Sequence, residues 1–290
     1  VRELVKQNNV TKTMIGAKND VAYIKLSDFM RRDSKGNTLV YSESADALKE
    51  LIGKKPKGII FDLRDNGGGL LTESVRIASL FLKEKSPVVS TKTFNSSSVE
   101  TLKTSAKDKP LTDLPLVVLI NARSASASEI VAGALQDHHR AIIIGTKSFG
   151  KGSVQTVIPL TGHGAMRITT SRYYTPSGRS IQAEGIEPDI EVKQAKIEFV
   201  EQNKYYRNEA GLSKHLDNPN EKIKDKAAAP SVSVDEDNED KQDSKDGTKK
   251  MPSLPGIAGK TVSAEDDTSK DFQLARALDL IRGLSIFGKK

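Results

Sequence analysis

Cysteine and tryptophan are both absent from the 290 residues. The first absence removes disulfides, thiolate zinc sites and cysteine nucleophiles from consideration. It leaves the redox compartment open, because cysteine-free chains occur in cytosol and periplasm alike. Aromatic residues make up only 5% of the chain, and the six Tyr and eight Phe are scattered. No Arg/Lys run is interleaved with them, as single-stranded nucleic-acid binding demands. The excess of 45 Lys and Arg over 38 Asp and Glu, a formal charge of +7, therefore reads as a source of solubility rather than a nucleic-acid footprint. Long hydrophobic runs are also missing. Nothing approaches the ~20 apolar residues of a membrane span, and no charged-then-apolar leader opens the chain. The sequence starts at Val1 within a polar stretch, which is the expectation for a fragment.

What is present is an alternation of β and α patterns. Residues 21–29, VAYIKLSDF, alternate apolar and polar, and 44–54, SADALKELIGK, follow with Leu48, Leu51 and Ile52 at helical spacing. The run GIIFDL at 58–63 ends in RDNGGG, the pattern of a buried strand closing on a tight turn. A helix is expected over 72–83, a strand over 115–121, a helix over 127–136 and a strand over 140–146. This rhythm predicts an α/β protein with a mainly parallel sheet covered by helices. From Gly152 to Arg172 the period changes to 2, which predicts a hairpin added to the sheet, and a short strand is expected at 189–192.

The core is expected to occupy 1–198. Between Asp235 and Lys250 the chain carries seven acids and four lysines with very little apolar content, so 199–270 reads as a polar, largely disordered linker. Residues 271–287 predict an amphipathic helix with Leu274, Leu278, Ile281 and Leu284 on one face. That face needs a partner, either the chain's own core or a second copy in a homo-oligomer.

The chemistry-bearing segment is 121–155, NARSASASEIVAGALQDHHRAIIIGTKSFGKGSVQ. A small-residue loop between a buried strand and a helix is where an α/β protein exposes a nucleophile beside a helix N-terminus. Ser126-Ala127-Ser128-Glu129 is equally an S-x-x-E capping box. Lys151, between Gly150 and Gly152 and after Phe149, could serve as a base only if apolar neighbours strip its water and lower its pKa from about 10.4. Otherwise it is one surface charge among many. His138 or His139 could instead pair with Ser124 or Ser126, although the helix between them sets the histidines roughly 15 Å away.

The strings SASASEIVAGALQD and SFGKGSVQ resemble the catalytic region of the C-terminal processing (tail-specific) peptidases, and so does the turn Asp62-Leu63-Arg64-Asp65-Asn66-Gly67-Gly68-Gly69. Where this chain has Gly67, members of that family often have proline. The segment RYYTPSGRSIQAEGIEPDI is similar as well. The resemblance covers about residues 10–195 and the closing helix. It implies a crotonase-like (ClpP/crotonase-type) α/β core and a serine endopeptidase that uses a Ser–Lys dyad, with Ser126 as nucleophile, Lys151 as general base and Gln155 orienting the pair.

An aspartate at the position of Asp137 has been considered important in some members; here a helix-terminal role is the simpler reading. Glycines let backbone N–H groups approach an oxyanion closely, so Gly68 or Gly69 with the Ala127 N–H are the candidates for that hole. The resemblance further implies no metal or cofactor, substrates cleaved near a nonpolar C-terminus, and a bacterial envelope or periplasmic location. Many family members carry a peptide-binding PDZ domain before the point where this sequence begins, and no such domain is visible in it. A non-catalytic peptide-binding or scaffolding protein on the same fold is the alternative.

Overall fold

The computed structural model describes residues 9–94, 99–106, 109–196 and 270–287. The chain forms a six-stranded sheet in the order β1(Val10–Ile15), β2(Val21–Leu26), β3(Ile59–Asp62), β6(Leu116–Ile120), β7(Ile142–Gly145), β10(Ile190–Glu191). Strand β1 runs antiparallel to β2 at one edge, and every other pairing in this sheet is parallel. Helices α1(Val40–Gly53), α2(Leu71–Ser79) and α3(Ala127–Asp137) supply the crossovers, as right-handed β-α-β connections require.

The parallel strands read as unbroken apolar runs because both sheet faces are covered. Ala22, Ile24, Leu26, Ile59, Phe61, Val118 and Ile120 face the three crossover helices. The alternating residues Val21, Ile60, Val117, Leu119 and Ile144 face the opposite way, onto α4(Phe272–Phe287). Leu274, Ala277, Leu278 and Ile281 of α4 are buried there. The closing amphipathic helix thus docks on its own sheet. Leu284, expected on the same face, is only half-buried, and Ile286 and Phe287 at the helix end are exposed.

Glycine at position 58 makes room for this docking: a Cβ there would fall 2.6 Å from Ile281 Cγ2 and 3.0 Å from the Pro115 carbonyl oxygen. Gly58→Ala is therefore expected to lift α4 and destabilise the fold by about 1–3 kcal/mol, read as a lower midpoint in urea unfolding.

A second, antiparallel sheet runs β5(Val99–Lys103), β4(Pro87–Thr93), β9(Gly164–Tyr174), β8(Ser153–Leu160). The hairpin expected after Gly152 is its β8–β9 half, and it pairs through β9 with β4 rather than with the parallel sheet. Strands β1, β4 and β5 were not marked by a strong sequence period, since β5 is almost wholly exposed and β4 is buried mainly at Val88 and Val89. The polar stretch 199–269 and the first eight residues lie outside the described residues. Among the described residues no helix is long and apolar enough to cross a membrane.

Candidate active site

Three alternate serines run from the loop after β6 into the first turn of α3, and the fold gives them different surroundings. Ser124 and Ser128 are fully buried. The Ser124 hydroxyl donates to the Leu63 carbonyl at 2.8 Å and the Ser128 hydroxyl to the Asn66 carbonyl at 2.9 Å. Both therefore fasten the loop to the turn that follows β3. Ser126, between them, is only half-buried, and its backbone sits at φ 56°, ψ −111°. For a residue with a Cβ this region is disfavoured, by roughly 1–3 kcal/mol, and persists only when the surroundings impose it. Such a turn at the mouth of a helix is the geometry that projects a nucleophile.

The glycine turn after β3 lies directly against Ser126. A Cβ on Gly68 would stand 2.5 Å from the Ala125 oxygen, 2.8 Å from the Ala127 nitrogen and 2.9 Å from the Ser126 Cβ. No side chain fits that approach, and the φ of +94° also favours glycine. Asn66 shapes the turn: its Oδ1 accepts the Gly68 N–H at 2.9 Å, its Nδ2 donates to the Leu26 carbonyl at 2.8 Å, and its own carbonyl accepts the Ala125 N–H at 3.0 Å. The Gly68 N–H is thus already engaged. Among the described residues no hydrogen bond engages the N–H of Gly69 or of Ala127, the latter an orphan donor of the first helical turn.

Glu129 joins the two halves of the site. Its side chain is fully buried. Oε2 accepts the Ser126 N–H at 2.7 Å and the Lys151 N–H at 2.9 Å; Oε1 accepts the Gly150 N–H and the Ser148 hydroxyl, both at 2.6 Å. One carboxylate oxygen therefore holds the backbones of Ser126 and Lys151 two hydrogen bonds apart. A further tie is the Phe149 N–H, which donates to the Ser124 carbonyl at 3.0 Å. The S-x-x-E spacing in the sequence points to Glu129 as a helix cap; its reach across to residues 148–151 is added by the fold.

The side chain of Lys151 departs from the sequence expectation. It is exposed, and Phe149, expected to shelter it, is itself 66% exposed. The flanking glycines serve a different purpose: a Cβ on Gly152 would fall 2.2 Å from the Gln182 nitrogen and one on Gly150 3.1 Å from the Ala183 carbonyl carbon. They let the loop pack on residues 181–185 rather than bury the lysine. Gln155 is exposed on β8, at the register shift opposite Thr169. Among the described residues no hydrogen bond joins it to Lys151, nor Lys151 to the Ser126 hydroxyl.

The histidines are placed elsewhere. His138 sits beyond the far end of α3, with its Nε2 2.7 Å from the Pro87 carbonyl oxygen, and the eleven residues of that helix separate it from Ser126 by about 16 Å. Asp137 has a structural role, accepting the Ser177 N–H at 2.8 Å and pairing with Arg179. Burial works to raise its pKa, but hydrogen bonds from Thr175, Ser177 and Arg179 outweigh it and hold the carboxyl below the usual range. Among the described residues no group of three or more His, Asp or Glu side chains is placed to hold a metal ion.

The sequence model of Peptidase family S41 matches residues 20–192, more than half of the chain, and the protein belongs to that family. The matched region contains the glycine turn, Ser126, Glu129, Lys151 and Gln155. A carboxy-terminal-processing protease of Bartonella bacilliformis is 43% identical over 240 residues, which cover 81% of this chain and 52% of the relative. A carboxyl-terminal-processing protease of Synechocystis is 42% identical over 181 residues, 62% of this chain and 40% of the relative. The chain thus spans about half the length, or less, of these curated relatives.

Among solved structures, a photosystem II D1 C-terminal processing protease aligns with a TM-score of 0.56 at 31% identity, over 66% of this chain and 50% of that one. A putative S41 protease from Bacteroides fragilis, at 17% identity and a TM-score of 0.56 over 66% of this chain and 52% of that one, shares the fold.

Proposed function

We propose that the chain is the proteolytic core of a serine endopeptidase, in which Ser126 attacks a peptide carbonyl and Lys151 takes its proton. The observation that carries this reading is the strained Ser126 backbone tied, through a single oxygen of Glu129, to the backbone of Lys151. The lysine would return a proton to the leaving amine, and water would then cleave the acyl-enzyme. The tetrahedral oxyanion would be met by the Ala127 N–H together with the glycine turn, where Gly69 has the unengaged donor and Gly68 the close approach. Gln155 would orient the lysine once β8 and a bound peptide close on each other.

The exposed Lys151 is compatible with this chemistry if the substrate supplies the missing cover. A peptide laid over the site would displace water from the ammonium and lower its pKa, and hydrogen bonds among catalytic groups often tighten only when substrate is bound. The names of the relatives, carboxy-terminal-processing proteases, support cleavage near a C-terminus, for which nonpolar terminal residues are the proposed substrate class. Their sources, bacterial and in one plant relative chloroplastic, favour an extracytoplasmic location such as the cell envelope or periplasm.

The test is hydrolysis of casein by the chain beside Ser126→Ala and Lys151→Ala between about pH 6 and 10. Both substitutions are expected to lower kcat by roughly 10⁴-fold or more, and the acidic limb of the wild-type profile should report the lysine. Covalent labelling by a serine-directed phosphonate, lost in Ser126→Ala, separates a peptidase from a binding protein on the same fold. Wild-type chain that neither cleaves nor labels would overturn the reading.

A further inference from the structure

The turn that approaches Ser126 is also gripped by two residues at the start of the C-terminal helix, Asp271 just before it and Gln273 in its first turn. Arg64, 8% exposed, and Asp62, fully buried, stand at the end of β3 where the turn begins. The Arg64 Nε donates to both Asp62 oxygens at 3.0 and 3.1 Å, and its Nη2 reaches Asp62 Oδ2 at 2.6 Å. The rest of the guanidinium is taken by α4. Nη2 donates to Asp271 Oδ2 at 2.7 Å, and Nη1 to Asp271 Oδ1 at 2.9 Å and Gln273 Oε1 at 3.1 Å. All five donors of the fork are thereby committed.

The α4 side of this network is itself fixed. Asp271 Oδ1 also accepts the Leu274 N–H at 3.1 Å, as a helix cap does, and Gln273 Nε2 donates to the Val192 carbonyl at 2.7 Å. Tyr23 completes the arrangement by donating to Asp62 Oδ2 at 2.8 Å.

This network has more charge and more donors than a plain strand end requires, and it stands at the base of a turn with three positive φ values: Asp65 at 63°, Gly68 at 94° and Gly69 at 154°. The glycines adopt theirs freely, whereas Asp65 holds its conformation because its neighbours impose it. From the turn, contacts run straight to the nucleophile loop: Leu63 accepts Ser124, and Asn66 accepts both Ala125 and Ser128. The grip on Arg64 comes from residues more than 200 positions further along the chain.

We propose that α4 is a positioning element of the site: Asp271 and Gln273 hold Arg64, and Arg64 holds the 62–69 turn in the shape that sets Gly68 and Gly69 against Ser126. The consequence for catalysis rests on the peptidase reading given above; the consequence for the turn does not. A guanidinium that loses the half-buried Asp271 carboxylate keeps the buried Asp62 but no longer has a fixed plane, and the turn begins on that same residue. A displacement of an ångström in an oxyanion donor is enough to slow the chemical step by one to two orders of magnitude.

The experiment uses Asp271→Asn in the full chain, which removes the charge and keeps the shape and the cap. Backbone amide exchange at Gly68 and Ala125 is expected to rise by about tenfold. The kcat on casein should fall by about tenfold, with KM changed by less than about twofold. Asp271→Glu should recover part of both. Leu51→Ala, in α1 and buried in the other half of the core, is the control for general destabilisation: it should lower the melting temperature without speeding exchange selectively at Gly68 and Ala125.

Unchanged exchange at those two amides in Asp271→Asn, or the same selective pattern in Leu51→Ala, overturns the inference. If the wild-type chain cleaves nothing, the peptidase reading fails, and the exchange measurement still decides whether α4 positions the turn.

Discussion

A Glu129→Gln protein is expected to lose on the order of 2–6 kcal/mol of unfolding free energy, the cost of leaving two backbone N–H groups without their acceptor. Four donors converge on this carboxylate, three of them backbone N–H groups. A glutamine can still accept on one atom, but its NH₂ must then face donors where Oε2 accepted Ser126 and Lys151. Those two hydrogen bonds are lost, and two buried or half-buried N–H groups are left without partners, each at about 1–3 kcal/mol. The Ser126 loop and the Lys151 loop should separate as a result, so activity is expected to fall by at least about 10²-fold even under conditions where the variant stays folded. Urea unfolding measures the first effect and casein hydrolysis well below the unfolding midpoint the second. A variant as stable and as active as wild type would show that the Glu129 bracket is incidental.

The second large effect is expected at Gly68. Alanine there would place a methyl 2.5 Å from one backbone oxygen and 2.8 Å from a backbone nitrogen, on a residue whose φ is +94°. Neither neighbour is a flexible side-chain tip, so the turn or the Ser126 loop must move. The combined overpacking and backbone strain should destabilise by about 2–4 kcal/mol and lower kcat by at least about 10²-fold.

Gly67, one residue earlier, is the internal comparison. It is exposed, its φ is not positive, and a Cβ there would meet nothing within 4 Å. Gly67→Ala should leave activity unaltered and raise stability by about 0.4–1 kcal/mol through the unfolded chain. Equal tolerance at the two positions, measured by unfolding and by phosphonate labelling rate, would remove the argument for a close approach at Gly68.

Protonation supports the picture of a tightly held turn. Burial works to lower the pKa of Arg64, and its bonds to Asp62 and Asp271 more than reverse this, so the guanidinium stays charged. Burial also acts to raise Asp271, while Arg64 brings it below the ordinary carboxylate range. Tyr23 is pushed up by burial and by the neighbouring Asp62. The Arg64–Asp271 pair therefore stays charged across the pH range of the hydrolysis assay, and the pH profile should not be distorted by it.

The residues that make strands and helices were largely legible in the sequence. GIIFDL, PLVVLIN and RAIIIGT form the buried parallel strands β3, β6 and β7, and ASEIVAGALQ forms α3, because continuous apolar runs and 3.6-residue spacing reflect local burial directly. The motif-bearing residues Ser126, Lys151 and the glycine turn were legible too, through their spacing and their resemblance to the processing peptidases. Three matters depended on tertiary structure alone. The second sheet formed because β9 finds β4, nearly 80 residues away, and pairing over such distances leaves no local period to read. The exposed side chain of Lys151 follows from which neighbours its loop packs against, and glycines signal a close approach without saying to what. Glu129 and Arg64 each satisfy groups brought near only by folding, so the sequence by itself could determine that a capping glutamate and a turn arginine were present, and only the folded chain could decide that one joins the two loops of the site and the other ties that site to the last helix.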